Sequence, residues 1–504
     1  MTRPPNILLI TSDQQHWDTL GVTNRRINTP ALDRLAGEGT RFERAYCPNP
    51  VCTPSRASII TGLYPSVHGA WTIGVKLPED VPTVGDHFRA NGYGTTLIGK
   101  AHFQPTGATP EQTSIERHPT LRDLDFWRGF HGPWYGFEHI EIARNHADEN
   151  LVGQHYAIWM EEHGLANWRD YFRPWPPDPT APAREHSWDL PEELHYTTWT
   201  GERTIAAIER DVAADRPFFT WASFHDPHPP YLVPDPWASM YDPAAMAPGT
   251  MIPGEHDAMP PHFALTQEEA PDFSRYQETP YPNHGFRSHR IDDPSLRRDM
   301  AVYYGMISFM DQQIGRILDT LDRLGIAENT LVVFTTDHGH FLGHHGLNAK
   351  GPFHYEDLLR LPFLARLPGR IPAAATSTAI QSLVDLAPTF LAAAGIAVPG
   401  LMQGVSQWEV WRGAAETARE HAIVENRHQP TAVHLRTYVE NHYKLTVYRN
   451  DTHGELFDLL DDPAERCNRW HDSAYAEVKG ELLHRWVQAE IAREPTRLPR
   501  IAHA

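Results

Sequence analysis

Asn6-Ile7-Leu8-Leu9-Ile10-Thr11 runs straight into Ser12-Asp13-Gln14. A short, continuous apolar run that stops in polar residues marks a strand buried on both faces, as in a parallel sheet; a half-exposed strand would alternate. Three more runs have this form: residues 95–98 lead into Gly99-Lys100-Ala101-His102, residues 217–224 into Asp226-Pro227-His228, and residues 330–335 into Thr336-Asp337-His338-Gly339. Helical patterns intervene at 29–37 and at 300–324, the second stopping before Gly325. Strands alternating with helices predict an α/β fold. Open α/β sheets hold their ligands just past the carboxyl ends of the strands, so the polar residues at these four ends are the candidates for chemistry.

Two stretches break the alternation. Residues 103–202 and 232–299 are rich in Pro and His with little periodicity, and the first carries Trp127, Trp134, Trp159, Trp168, Trp175, Trp188 and Trp199. Long segments of this kind read as insertions around a pocket, or as padding held by aromatic anchors. From residue 407 the character changes again, with short strands at 435–440 and 443–448 and a helix at 475–491. The organisation expected is a catalytic α/β domain over 1–406 and a smaller C-terminal α+β domain over 407–504, carrying an antiparallel sheet.

A chain of 504 residues, 40% hydrophobic and 21% charged, can bury a large core. Its net charge of -20 argues against nucleic acid or another polyanion as main partner. A small anion in a local cationic pocket is still compatible with it. Three cysteines, Cys47, Cys52 and Cys467, are too few and odd in number for a disulfide framework. No apolar run reaches membrane-spanning length and residues 1–5 lead directly into the first strand, so the expectation is a cytoplasmic protein without a membrane partner.

Cys52-Thr53-Pro54-Ser55-Arg56, running on to Thr61-Gly62, carries the most specific signal. Taken alone, Pro54 and Ser55 suit a loop break before a helix beginning near Arg56, with Cys52 as a small buried residue. The Cys-x-Pro-Ser-Arg frame closing on Thr-Gly also resembles the signature of the formylglycine-dependent sulfatases of the alkaline phosphatase superfamily. Further segments resemble that family in order: Asp13-Gln14, the 92–102 segment ending in Lys100 and His102, the 224–231 segment holding His228, Asp337-His338, and Lys350. Many members carry a second Asp at the Gln14 position and Asn at the His338 position, so the pairing here is closest in style to choline sulfatases and phosphonate monoester hydrolases.

The resemblance implies a large mixed, mostly parallel sheet sandwiched by helices. It implies that a formylglycine-generating enzyme oxidises Cys52, and that Asp13, Gln14, Asp337 and His338, with residue 52, hold one divalent cation, Ca²⁺ or Mn²⁺. Two anionic ligands leave such a cation less neutralised, and an imidazole moves preference towards Mn²⁺. Lys100 would bind a sulfate oxygen and the nucleophile's hydroxyl, and His102 would take that hydroxyl's proton as sulfate leaves. His228, ranked above His225, would assist the leaving alcohol; Lys350 would clamp the sulfate and Arg56 would hold the nucleophile. Lys100 and His102 are expected on one face of an extended segment.

The reaction implied is hydrolysis of a small sulfate monoester. Alternatives are a phosphonate monoester or phosphodiester hydrolase using the same site, with promiscuity between the two, and a non-catalytic sulfatase-like binding protein in which Cys52 stays a thiol. The run His338, His340, His344, His345 also invites a two-zinc phosphodiesterase reading. Lys100 and His102 tilt the choice to sulfate. The alcohol is open between a choline-like cation over Trp faces and a neutral aryl or sugar group, and the family pattern suggests a homodimer or homotetramer.

Overall fold

The computed structural model describes residues 4–144, 146–172, 186–281, 283–495 and 501; Trp175 lies outside them. Its main sheet has eight strands: β1 (Asn6–Ser12), β2 (Thr40–Phe42), β3 (Gly94–Gly99), β4 (His139–Ile142), β5 (Phe218–Ser223), β6 (Thr330–Thr336), β7 (Leu364–Arg366) and β8 (Ala375–Ser377), in spatial order β8-β2-β7-β6-β1-β5-β3-β4. β1 pairs in parallel with β5 and β6, and β3 with β5 and β4, while β7 runs antiparallel to β2 and β6. The four apolar runs read from the sequence are the neighbours β6-β1-β5-β3. Their carboxyl ends therefore converge on one place.

Helices α1 (Pro30–Glu38), α2 (Cys52–Thr61), α3 (Gln154–Glu162), α4 (Tyr196–Ala213), α5 (Asp293–Arg323), α6 (Leu386–Ala393) and α7 (Ala476–Ala492) surround the sheets. Strand pleating sends Ile7, Leu9, Trp221 and Val333 to one face, against Ile59 and Ile60 of α2 and Phe390 of α6. Leu8, Ile10, Ala222 and Phe334 go to the other, against Leu35 of α1 and Ile307 of α5. Every residue of α2 is buried. That helix starts at Cys52, four residues before the expected start near Arg56, because Pro54 falls in the first turn, where its missing N–H is tolerated. Gly62, at φ 65°, ends it in the left-handed conformation.

The C-terminal sheet is antiparallel and follows chain order: β9 (Ala422–Gln429), β10 (Val433–Val439), β11 (Tyr443–Tyr448) and β12 (Gly454–Asp458). Val424, Leu435 and Phe457 join the same core as Ile7 and Leu9, whereas Ile423, Leu445 and Leu456 pack on Leu482 and Trp486 of α7. The stretch 103–202 is less irregular than expected, since it contains β4, α3 and the start of α4. Its six described tryptophans form core. Trp159, Trp168, Trp188 and Trp199 pack together, Trp127 and Trp134 join the main core, and all six are at most 7% exposed. They are not arranged as an aromatic cage for a cationic alcohol, because the insertion needs their apolar area to cover itself.

Candidate active site

Register brings the candidate residues to one height. Ser12 lies opposite Thr336, so Asp13 and Asp337 follow side by side, and Gly99 lies opposite Ser223. Cys52 begins α2 at the same level, at the helix end whose free N–H groups favour negative charge. Its sulfur is 3.2 Å from His338 Nε2, 3.1 Å from Lys350 Nζ, and 3.8 Å from both Asp13 Oδ1 and Lys100 Nζ. Ligand atoms of Asp13, Cys52, Asp337 and His338 all lie within 4.8 Å of one another.

Arg56 sits one turn further along α2 and is fully buried. Its Nε donates to Asp337 Oδ2 at 2.8 Å and its Nη2 to Asp13 Oδ2 at 3.3 Å, while Nη1 donates to Ser223 Oγ and the Lys100 carbonyl. These bonds make Arg56 a brace behind the two carboxylates, where contact with the nucleophile was expected. Lys100 Nζ pairs with Asp13 and lies 2.7 Å from His146 Nε2. Lys100 and His102 do not alternate along a strand: β3 ends at Gly99, and His102 takes a left-handed φ of 60°. The turn points His102 at Arg144, whose Nη2 is 2.6 Å from its Nε2.

The donor set fits one hard divalent cation. Asp13 and Asp337 supply carboxylates, and both polar atoms of the Gln14 amide are buried without a partner among the described residues. His338 Nδ1 lies 3.1 Å from the Gly339 carbonyl, to which it donates, leaving the Nε2 lone pair facing Cys52 as a metal ligand requires. The other histidines of that run turn elsewhere. His340 bonds Tyr231 and the Leu342 N–H, and His345 bridges Glu255 and Asp357. His344 stacks on His16. His16, His344 and Asp357 form a second group of ligand type. There, however, His16 Nδ1 accepts the Asp18 N–H, so Nε2 carries the hydrogen it donates to Asp357. That arrangement does not favour a two-zinc site.

His228 Nε2 is 3.4 Å from Lys350 Nζ, its Nδ1 is 2.5 Å from the Pro229 carbonyl, and its ring lies 4.0 Å from that of His146. His225 instead bonds the Ala143 carbonyl at 2.9 Å. Electrostatics follow from this crowding. Burial pushes the Cys52 thiol up and Asp13 adds to that, yet Lys100 and Lys350 bring it down to about 7. Burial also works against ionised Asp13, but Lys100, His228, Arg56 and Lys350 hold its carboxyl well below the usual range. Burial, then Lys350, keeps His228 well below the ordinary histidine value.

Four neighbours were not read from the sequence. Arg144 and His146 follow β4, two and four residues past its end, as the other candidates follow their strands. That rule could have found them, but Glu141 interrupts the apolar run. Gly285 packs so closely on the Lys350 loop that a Cβ would meet the Lys350 carbonyl at 2.6 Å, and burial, then the Lys350 charge, hold the preceding His284 well below the ordinary histidine value. His428, in the irregular register between Arg427 and Gln429, reaches Thr72 Oγ1 at 3.1 Å and lies 5.5 Å, ring to ring, from His284.

The family model described as Sulfatase matches residues 5–396, and that described as N-sulphoglucosamine sulphohydrolase, C-terminal, matches 343–492. The uncharacterized sulfatase YidJ of Escherichia coli K12 is 28% identical over 95% of this chain and 85% of its own. The multifunctional alkaline phosphatase superfamily protein PehA of Trinickia caryophylli is 30% identical over 94% of this chain and 93% of its own. Among solved structures, a phosphonate monoester hydrolase of Agrobacterium radiobacter superposes with a TM-score of 0.78 at 24% identity, covering 98% of this chain and 97% of that one, and so shares the fold.

Proposed function

The chain belongs to the sulfatase family, and on that footing we propose that it hydrolyses a small sulfate monoester to an alcohol and sulfate, with residue 52 as the nucleophile. The observation that carries this reading is the position of Cys52. It heads a buried helix, touches a donor set fit for a divalent cation, and has Lys100 and Lys350 on its sulfur. Asp13, Gln14, Asp337 and His338 would hold Ca²⁺ or Mn²⁺, which when bound would polarise the nucleophile and offset charge on the sulfuryl group. Maturation of Cys52 to formylglycine would supply a hydrated aldehyde whose oxygen attacks sulfur and whose carbonyl re-forms as sulfate departs.

The protein's own groups do the rest. Lys100 and Lys350 would receive the sulfate oxygens, the kind of preorganised charge that usually contributes most to rate. Arg56 keeps Asp13 and Asp337 in place. With its Nδ1 hydrogen on the Pro229 carbonyl, His228 turns Nε2 towards Lys350, from where it would assist the departing alcohol. The role the family pattern gives His102, taking a proton, needs a lone pair that Arg144 occupies. A phosphonate monoester or phosphodiester fits the same cationic pocket and is the rival reading, supported by the Asp-Gln and Asp-His pairing at the metal cradle.

The test is the mass of the tryptic peptide over residues 45–56, from protein made alongside a formylglycine-generating enzyme, with fragmentation to separate position 52 from Cys47. An aldehyde at position 52 is expected, together with a higher kcat/KM for an aryl sulfate than for a phenylphosphonate monoester. An intact, alkylatable Cys52 removes the mechanism; preference for the phosphonate transfers it to the rival substrate.

A further inference from the structure

Arg144 and His102 make a pair that the sulfatase signature does not include. Both are buried at 5% exposure, and Arg144 Nη2 lies 2.6 Å from His102 Nε2. A guanidinium donates and never accepts, so this contact requires Nε2 to be the unprotonated nitrogen and places the ring's hydrogen on Nδ1. Glu116 fixes the arrangement. One of its oxygens accepts the His102 backbone N–H at 3.0 Å and Arg144 Nη1 at 3.4 Å, and the other accepts the Gln104 N–H at 2.7 Å. Two donors in this pair, His102 Nδ1 and Arg144 Nε, are buried with no acceptor among the described residues. A buried donor without a partner is costly, and rare unless a ligand or water supplies the acceptor.

We propose that Arg144 holds His102 uncharged with its hydrogen on Nδ1, and that His102 Nδ1–H and Arg144 Nε–H are together the donors that receive the substrate's oxygens. The ligand chemistry received is an oxyanion such as a sulfuryl oxygen. The identity of that oxyanion rests on the sulfatase reading, but the tautomer does not. Charges facing His102 act in the same direction: burial first, then Arg144, Lys100, Arg56 and Lys350, all disfavour its protonation, with Glu116 engaged by Arg144 and two backbone N–H groups.

Histidine ¹⁵N resonances of the full chain test this directly, with His102→Gln used to assign the signal. Wild type should show a protonated Nδ1 and an unprotonated Nε2 at His102, unchanged from about pH 6 to pH 9. Arg144→Met should release the constraint, so that Nε2 carries part of the ring's hydrogen, and Arg144→Lys, which keeps a cationic donor, should restore the wild-type signal. On an aryl sulfate, Arg144→Met should lose about 100-fold, mostly in kcat, the scale of one lost donor to a transition-state oxyanion. Arg144→Lys should recover part of that loss. A protonated Nε2 in wild type, or an unshifted tautomer in Arg144→Met, overturns the proposal. If Arg144→Met does not fold, the wild-type signal and Arg144→Lys still decide. Should no ester be hydrolysed by matured protein, the proposed function fails while the tautomer result stands by itself.

Discussion

At the scale of single residues, Arg56 is the piece whose part changed most between sequence and structure. Asp13 and Asp337 end neighbouring strands, and without a cation between them two buried carboxylates would repel. Arg56→Met should therefore cost about 3–5 kcal/mol, the usual result of leaving buried charge unpaired, read as a lower denaturant midpoint. Added Ca²⁺ or Mn²⁺ should recover part of the loss, because an ion bound by the folded state alone stabilises it. A loss below about 1 kcal/mol with no metal response would contradict both the brace and the cradle. Asp13, Asp337, His338, Lys100 and His228 were legible because each follows an apolar run. Arg144 and His146 were not, since the strand before them is a short edge strand whose Glu141 is satisfied by Arg203, at 2.7 Å, and so breaks the pattern.

Elements show the same division. β10 and β11 alternate clearly in sequence, whereas β9 carries Glu425, Asn426, Arg427 and His428 in a row and shows no such alternation. Only contact with its neighbours explains it: Glu425 is paired by Arg493 and Arg436, and the irregular register at its end releases His428 towards Thr72. β12 makes a pH-dependent contribution. Burial pushes the Glu455 carboxyl from 4.5 up to about 7, against the opposing effects of the Tyr448 hydroxyl and Lys444. A carboxyl that holds its proton more tightly when folded makes stability fall as pH rises from its unfolded to its folded value, here between 4.5 and about 7, and constant above. Glu455→Gln removes that slope, so it should gain on wild type by up to about 3 kcal/mol between pH 5 and pH 8 in urea unfolding. An equal gap at both pH values would refute the assignment.

For the whole molecule, the apolar faces do not respect the boundary drawn at residue 406. Val424, Leu435 and Phe457 share a core with Ile7, Leu9 and Ile60. A fragment ending at 406 would expose that face to water, so it should be insoluble or bind a hydrophobic dye with no cooperative melting transition; a monomeric fragment with a sharp transition would prove the core divisible. By itself the sequence determined the parallel strands, the polar residues at their carboxyl ends and the motif around Cys52, because apolar periodicity and local turn chemistry are written in consecutive residues. The tertiary structure alone decided that Arg56 braces carboxylates, that Arg144 occupies His102, that the six described tryptophans of the 103–202 stretch are core, and that the C-terminal sheet shares the main core. Each of those depends on contacts between residues distant in the chain, whose partners are set by strand order and packing.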